Sequence, residues 1–77
     1  MYIATLDSVK VGNTVVFFRH QKAISQEVLS GLADIGRSHL SAIERGERKP
    51  TLETLYRICV ALDIKLSTFC AKLEELL

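Results

Sequence analysis

Ser25-Gln26-Glu27-Val28-Leu29-Ser30-Gly31-Leu32-Ala33-Asp34-Ile35-Gly36-Arg37-Ser38-His39-Leu40-Ser41-Ala42-Ile43-Glu44-Arg45-Gly46 is the stretch whose reading decides the fold. Its apolar positions are Leu29, Ala33, Ile35, Leu40 and Ile43. Leu29 to Ala33 is a helical step of four and Leu40 to Ile43 a step of three, which predicts two short helices with one buried stripe each. Ser25 provides an N-cap hydroxyl for the first of them. Asp34 sits where the chain must reverse, and Asp tolerates a left-handed backbone. Ser30 is small enough to let the two axes cross closely. Gly36 opens the second helix, and Gly46 follows its last apolar residue as a C′ stop.

Outward from this stretch the pattern stays helical. On the N-terminal side, Ile3 and Leu6 either begin a first helix or form an arm packed along it, with Asp7 or Ser8 as the cap. A helix from there to about Lys22 puts Val11, Val15 and Phe18 on one face. The run Val15-Val16-Phe17-Phe18, taken alone, also suits a strand. On the C-terminal side, Glu47-Arg48-Lys49-Pro50 is a charged loop closed by the only proline. Thr51 is the expected N-cap of a helix with Leu52, Leu55, Ile58, Cys59 and Leu62 on its inner face, stopped at Asp63. Ser67 is the expected N-cap of a last helix carrying Phe69, Leu73, Leu76 and Leu77.

Seventy-seven residues, 48% of them apolar, are enough for one domain with one modest core, residues 1–77, and a chain of this size often gains stability by pairing with a copy of itself. The net charge is only +1, so a nucleic-acid reading has to rest on where charge lies. Cys59 and Cys70, without a CxxC or paired histidines, give neither a zinc pattern nor a disulfide framework, and no metal or other cofactor is expected. They read as free thiols in a reducing compartment. With no signal peptide, spanning segment or lipidation motif, the expected location is the cytoplasm, at the nucleoid of a bacterium or phage host, with no membrane partner.

Two short helices joined by a sharp turn form the helix-turn-helix pattern, whose second helix enters the DNA major groove. The Ser25-Gln26-Glu27 opening, the run Arg37-Ser38-x-Leu40-Ser41-x-Ile43-Glu44-Arg45-Gly46 and the later Pro50-Thr51-Leu52-Glu53-Thr54-Leu55 resemble the phage repressor/Cro type, or XRE family, over roughly residues 11–70. The resemblance tips Val15–Phe18 to helix and implies an all-α fold: a compact five-helix, repressor-like DNA-binding domain, with the helix-turn-helix at residues 25–46. It also sets Val16 and Phe17 apart, since the family usually has polar residues there. They are either covered by the N-terminal arm of residues 1–8 or part of a contact surface.

In the second helix of the motif Leu40 and Ile43 turn inward, leaving Arg37, Ser38, His39 and Ser41 outward. An Arg in this place forks onto the O6 and N7 of guanine. The resemblance implies base contacts at Arg37 and Ser38, joined by His39; Ser41 adds a water-bridged or phosphate contact. Gln26 stands at a helix start, where free N–H groups face anions, and the resemblance implies that it clamps a phosphate. From Gly36 to Pro50 there are four basic residues, Arg37, Arg45, Arg48 and Lys49, against two acids, so this face is positive and its binding salt-dependent. Glu44 would repel DNA; in the family this residue pairs with an Arg at the position of Arg19, which implies a partly buried structural ion pair.

One recognition helix reads too few bases, and proteins of this kind pair so that two helices lie one turn of DNA apart. Surplus apolar residues in the region 51–77, namely Leu66, Phe69, Cys70, Leu73 and Leu77, are the candidates for a homodimer interface, with Phe69 and Leu73 serving the core as well. Within the family, Arg37-Ser38-His39-Leu40-Ser41, Ile58-Cys59-Val60-Ala61-Leu62-Asp63-Ile64 and Ser67-Thr68-Phe69 look like the controller proteins of bacterial restriction–modification systems. That resemblance implies a homodimer bound to double-stranded operator DNA upstream of its own and an endonuclease gene, activating at low concentration and repressing when the operators fill, with RNA polymerase as a further candidate partner. A phage or chromosomal repressor, or a DNA-binding antitoxin, shares the fold; a helical protein-interaction module without DNA binding is the rival of another class. An enzyme is not expected: no nucleophile–base set or phosphate loop is present, Ser38 and His39 point apart on one helix, and the acids are scattered.

Overall fold

Three of the helix starts are fixed by one side chain each. Asp7 accepts hydrogen bonds from the backbone of Val9 and Lys10, Ser25 from that of Val28, and Thr51 from that of Thr54. They open α1 (Ser8–Gln21), α2 (Gln26–Ala33) and α4 (Leu52–Ala61). Gly36 and Lys65 open α3 (Arg37–Glu44) and α5 (Leu66–Leu76) without a side-chain cap bond. The computed structural model describes residues 3–77, and these five helices are all of its regular structure. The expected Ser67 cap is not the one used. Leu66 already packs against the core, so the last helix starts two residues earlier, with Lys65 at its cap, and Ser67 lies inside its first turn.

The first four helices are followed by left-handed residues. Ala23, Asp34, Asp63 and Gly46 have φ of 57°, 55°, 56° and 79°. Asp34 makes the turn of the helix-turn-helix, its N–H donating to the Gly31 and Ser30 carbonyls. Gly46 is required twice over: besides its φ, an added Cβ would come within 2.8 Å of the Val9 Cα. Gly12 serves closeness alone. A Cβ there would run into the Ile43 and Glu44 carbonyls, so α1 lies backbone to backbone on the end of α3.

The core draws on every helix: Val11, Val15 and Phe18, then Leu29 and Ala33, Leu40 and Ile43, Ile58, Cys59 and Leu62, and finally Phe69 and Leu73. Leu52 departs from expectation. It occupies the first turn of α4, beyond the reach of the core, and is 71% exposed. The N-terminal arm departs too: residues 3–6 are neither helical nor packed down, with Ile3 and Leu6 both exposed, while Met1 and Tyr2 lie outside the described residues. Phe17 stays exposed, at 40%, and is flanked on one side only. Its ring meets Phe18 edge-on at 5.1 Å, and the Lys72 ammonium of α5 lies 4.3 Å from its centroid. Val16 beside it is half-buried.

Candidate nucleic-acid interface

Leu40 and Ile43, fully buried, lock the inner face of α3. Arg37 and Ser38 in its first turn are exposed, and His39 and Ser41 are half-buried. An eight-residue helix anchored by its second half thus offers its first turn to solvent, with the unpaired N–H groups and positive dipole end that favour an anion.

The far end of α3 is tied down by charge. Arg19 of α1 donates from Nε to Glu44 Oε2 at 2.8 Å and from Nη2 to Oε1 at 3.0 Å, while its Nη1 donates to the Ile24 carbonyl at 3.0 Å. The Gln26 amide nitrogen joins them, donating to Glu44 Oε1 at 2.9 Å. This third bond was not legible in the sequence. The only signal for it is that Gln26 is the first residue of α2 and Glu44 the last of α3.

Arg45 sits differently from its sequence reading. It donates to both Glu47 carboxylate oxygens, at 2.7 and 3.1 Å, and to the Ser41 hydroxyl. Those hydrogen bonds, and the charge behind them, hold the Glu47 carboxyl below its ordinary value and raise Arg45. Arg45 and Ser41 are thus already engaged with neighbours in the free protein. Arg37, Arg48 and Lys49 are exposed and form no ion pair among the described residues. They are the uncompensated positive charges of residues 36–50.

The candidates for self-association divide. Phe69 is fully buried and Leu73 nearly so, and both belong to the protomer's own core, so they have no surface left for a partner. Leu66 and Cys70 are half-buried and Leu77 is exposed. A second apolar surface escaped the sequence reading. Val28 and Leu32 of α2 and Leu52, Tyr56 and Val60 of α4 are exposed at steps of four along each helix. Leu32, Tyr56 and Val60 flank a groove of about 330 Å³ with Ala33, Asp34 and Arg57. No described group of His, Cys, Asp and Glu is placed to hold a metal ion, and no described helix is long and apolar enough to cross a membrane.

Comparison with known proteins agrees with this geometry. The helix-turn-helix family pattern matches residues 18–69. An HTH-type transcriptional regulator of Sinorhizobium fredii, y4dJ, is 35% identical over 54 residues, 70% of this chain and 70% of the relative. The crystal structure of the restriction-modification controller protein C.AhdI from Aeromonas hydrophila is 34% identical, covers 84% of this chain and 98% of its own, and superposes with a TM-score of 0.80. The controller protein C.Esp1396I, solved as a tetramer in complex with its natural 35 base-pair operator, is 26% identical, with coverage of 94% and 95% and a TM-score of 0.85. The chain belongs to the helix-turn-helix family of DNA-binding transcriptional regulators.

Proposed function

We propose that this regulator is a controller of the restriction–modification type, a homodimer that reads a two-fold symmetric operator and regulates by occupancy, not by catalysis. The observation that carries the DNA reading is the first turn of α3: Arg37 and Ser38 face solvent on a helix whose remaining faces are fixed by Leu40, Ile43 and the Arg19–Glu44 pair. Arg37 forks onto a guanine, Ser38 and His39 read beside it, and Gln26, Arg48 and Lys49 hold phosphates. Ser41 and Arg45 contribute after exchanging their present partners.

The likeness to two controller proteins over nearly their whole length supports the narrower assignment, and the operator complex of one of them, a tetramer, supports DNA and self-association as its partners. In this reading residues 25–46 serve the DNA and residues 51–77 the partner copy, through Leu66, Cys70 and Leu77. The protein works at the nucleoid in the cytoplasm, and RNA polymerase is engaged when it activates. A reporter driven by the DNA upstream of its own gene tests this. Output that rises and then falls as protein is titrated in is the controller result. A monotonic fall makes it a plain repressor, and no response refutes regulation at that site.

A further inference from the structure

We propose that Glu44 is a positioning residue for DNA binding: its carboxylate fixes which end of the Gln26 amide is held inward and so sets the donor that meets a phosphate. The inference rests on the DNA-binding reading above. Glu44 is almost entirely buried and does not face DNA itself. Its two oxygens take three donors, the Nε and Nη2 of Arg19 and the Nε2 of Gln26.

A glutamine amide has an accepting oxygen and a donating nitrogen at nearly the same shape, and turned freely it offers either. An ionised carboxylate only accepts, so Glu44 holds the nitrogen and turns the oxygen away. One N–H of that nitrogen is then used and the other remains. A phosphate oxygen also only accepts, so this second N–H is the group it needs. Arg19 makes the anchor rigid, because its own third nitrogen is fixed on the Ile24 carbonyl. The amide is thus ordered before DNA arrives, and the entropy of ordering it is not lost on binding.

Charge and positioning predict opposite signs for Glu44→Gln. Removing a negative charge beside DNA, and freeing Arg19, should tighten binding if Glu44 acts as charge alone. A glutamine at 44 keeps a single accepting oxygen, for which Arg19 and Gln26 compete, so the anchor loosens and binding should weaken. The test measures affinity for a short mixed-sequence duplex at low salt for the unsubstituted protein, E44Q, Q26A and the double variant, all below their melting temperatures. The expected result is that E44Q binds about tenfold more weakly, the order of a hydrogen bond to a charged group. In the Q26A background the same change should leave affinity unaltered or raise it.

Tightening by E44Q in both backgrounds overturns the proposal. Should E44Q not fold, the Gln26 side-chain amide of the unsubstituted protein decides by NMR. One of its two proton signals should move on adding the duplex while the other stays, and movement of both means that the amide releases Glu44, which also overturns it. If the unsubstituted protein binds no duplex at all, the failure belongs to the DNA-binding reading itself.

Discussion

Arg19 and Glu44, 25 residues apart in sequence, meet in a two-point ion pair with side chains only 12% and 5% exposed. A pair this buried is costly to break from one side, since the remaining charge keeps its desolvation without its partner. Arg19→Ala should therefore destabilise by about 3–5 kcal/mol, read by urea denaturation. DNA affinity per folded molecule should fall far less than stability, because Gln26 still reaches Glu44 although the anchor loses the support of Arg19. A variant that melts like the parent yet loses DNA would make Arg19 a DNA-contacting residue.

Salt dependence should separate the basic residues near the recognition helix. Arg48 and Lys49 carry uncompensated charge, so Arg48→Ala and Lys49→Ala should each lower the slope of log affinity against log salt by about 0.9. Arg45 is paired with Glu47 and must exchange that partner for a phosphate. Arg45→Ala should change the slope by less, and equal changes for all three would show that the Arg45–Glu47 pair dissolves on DNA.

Readout and positioning should also come apart. Arg37→Ala should relax preference at one base pair per half-site, on the order of 1–3 kcal/mol, while leaving other positions unchanged. Gln26→Ala should weaken all duplexes about equally. Competition between single-base variants of a bound site measures both, and the reverse pattern would exchange the two roles.

Alkaline pH should destabilise the protein through Cys59. Burial, aided by the neighbouring Cys70, pushes this thiol from 9.0 up to about 11. An unfolded chain loses that proton first, so between pH 9 and about 11 the folded state holds more protons than the unfolded one. Stability is fully present below that window and falls as pH rises through it. Denaturation midpoints across the window check this, with Cys59→Ala expected to flatten the decline. At neutral pH a thiol reagent should modify the half-buried Cys70 before the buried Cys59.

Much of the fold was legible because its signals are local. Ser25 and Thr51 cap what they were expected to cap, Asp34, Gly46 and Asp63 take the left-handed stops, and the apolar steps around Leu29, Leu40 and Ile58 find the core. Ala23 was not legible as a stop, since alanine carries a cost in that conformation which only the surrounding packing can offset. Leu52 and Phe69 show the limit of periodicity. Each continues an apolar stripe, but whether the stripe meets core, solvent or partner depends on where the neighbouring helices end. At the site, the exposure of Arg37 and Ser38 followed from helical spacing alone, whereas His39 and Ser41, expected outward with them, are half-buried. The sharing of Glu44 between Arg19 and Gln26 and the capture of Arg45 by Glu47 did not, because both join side chains whose meeting depends on how loops and helix ends fold back.

Selection from a random DNA pool, with the selected complex then sized by light scattering, bears most directly on operator recognition. A two-fold symmetric site with half-sites about one helical turn apart, occupied by an even number of protomers, is the expected result. No enriched sequence, with binding lost at moderate salt, would contradict it and leave the helix-turn-helix as a scaffold for a protein partner.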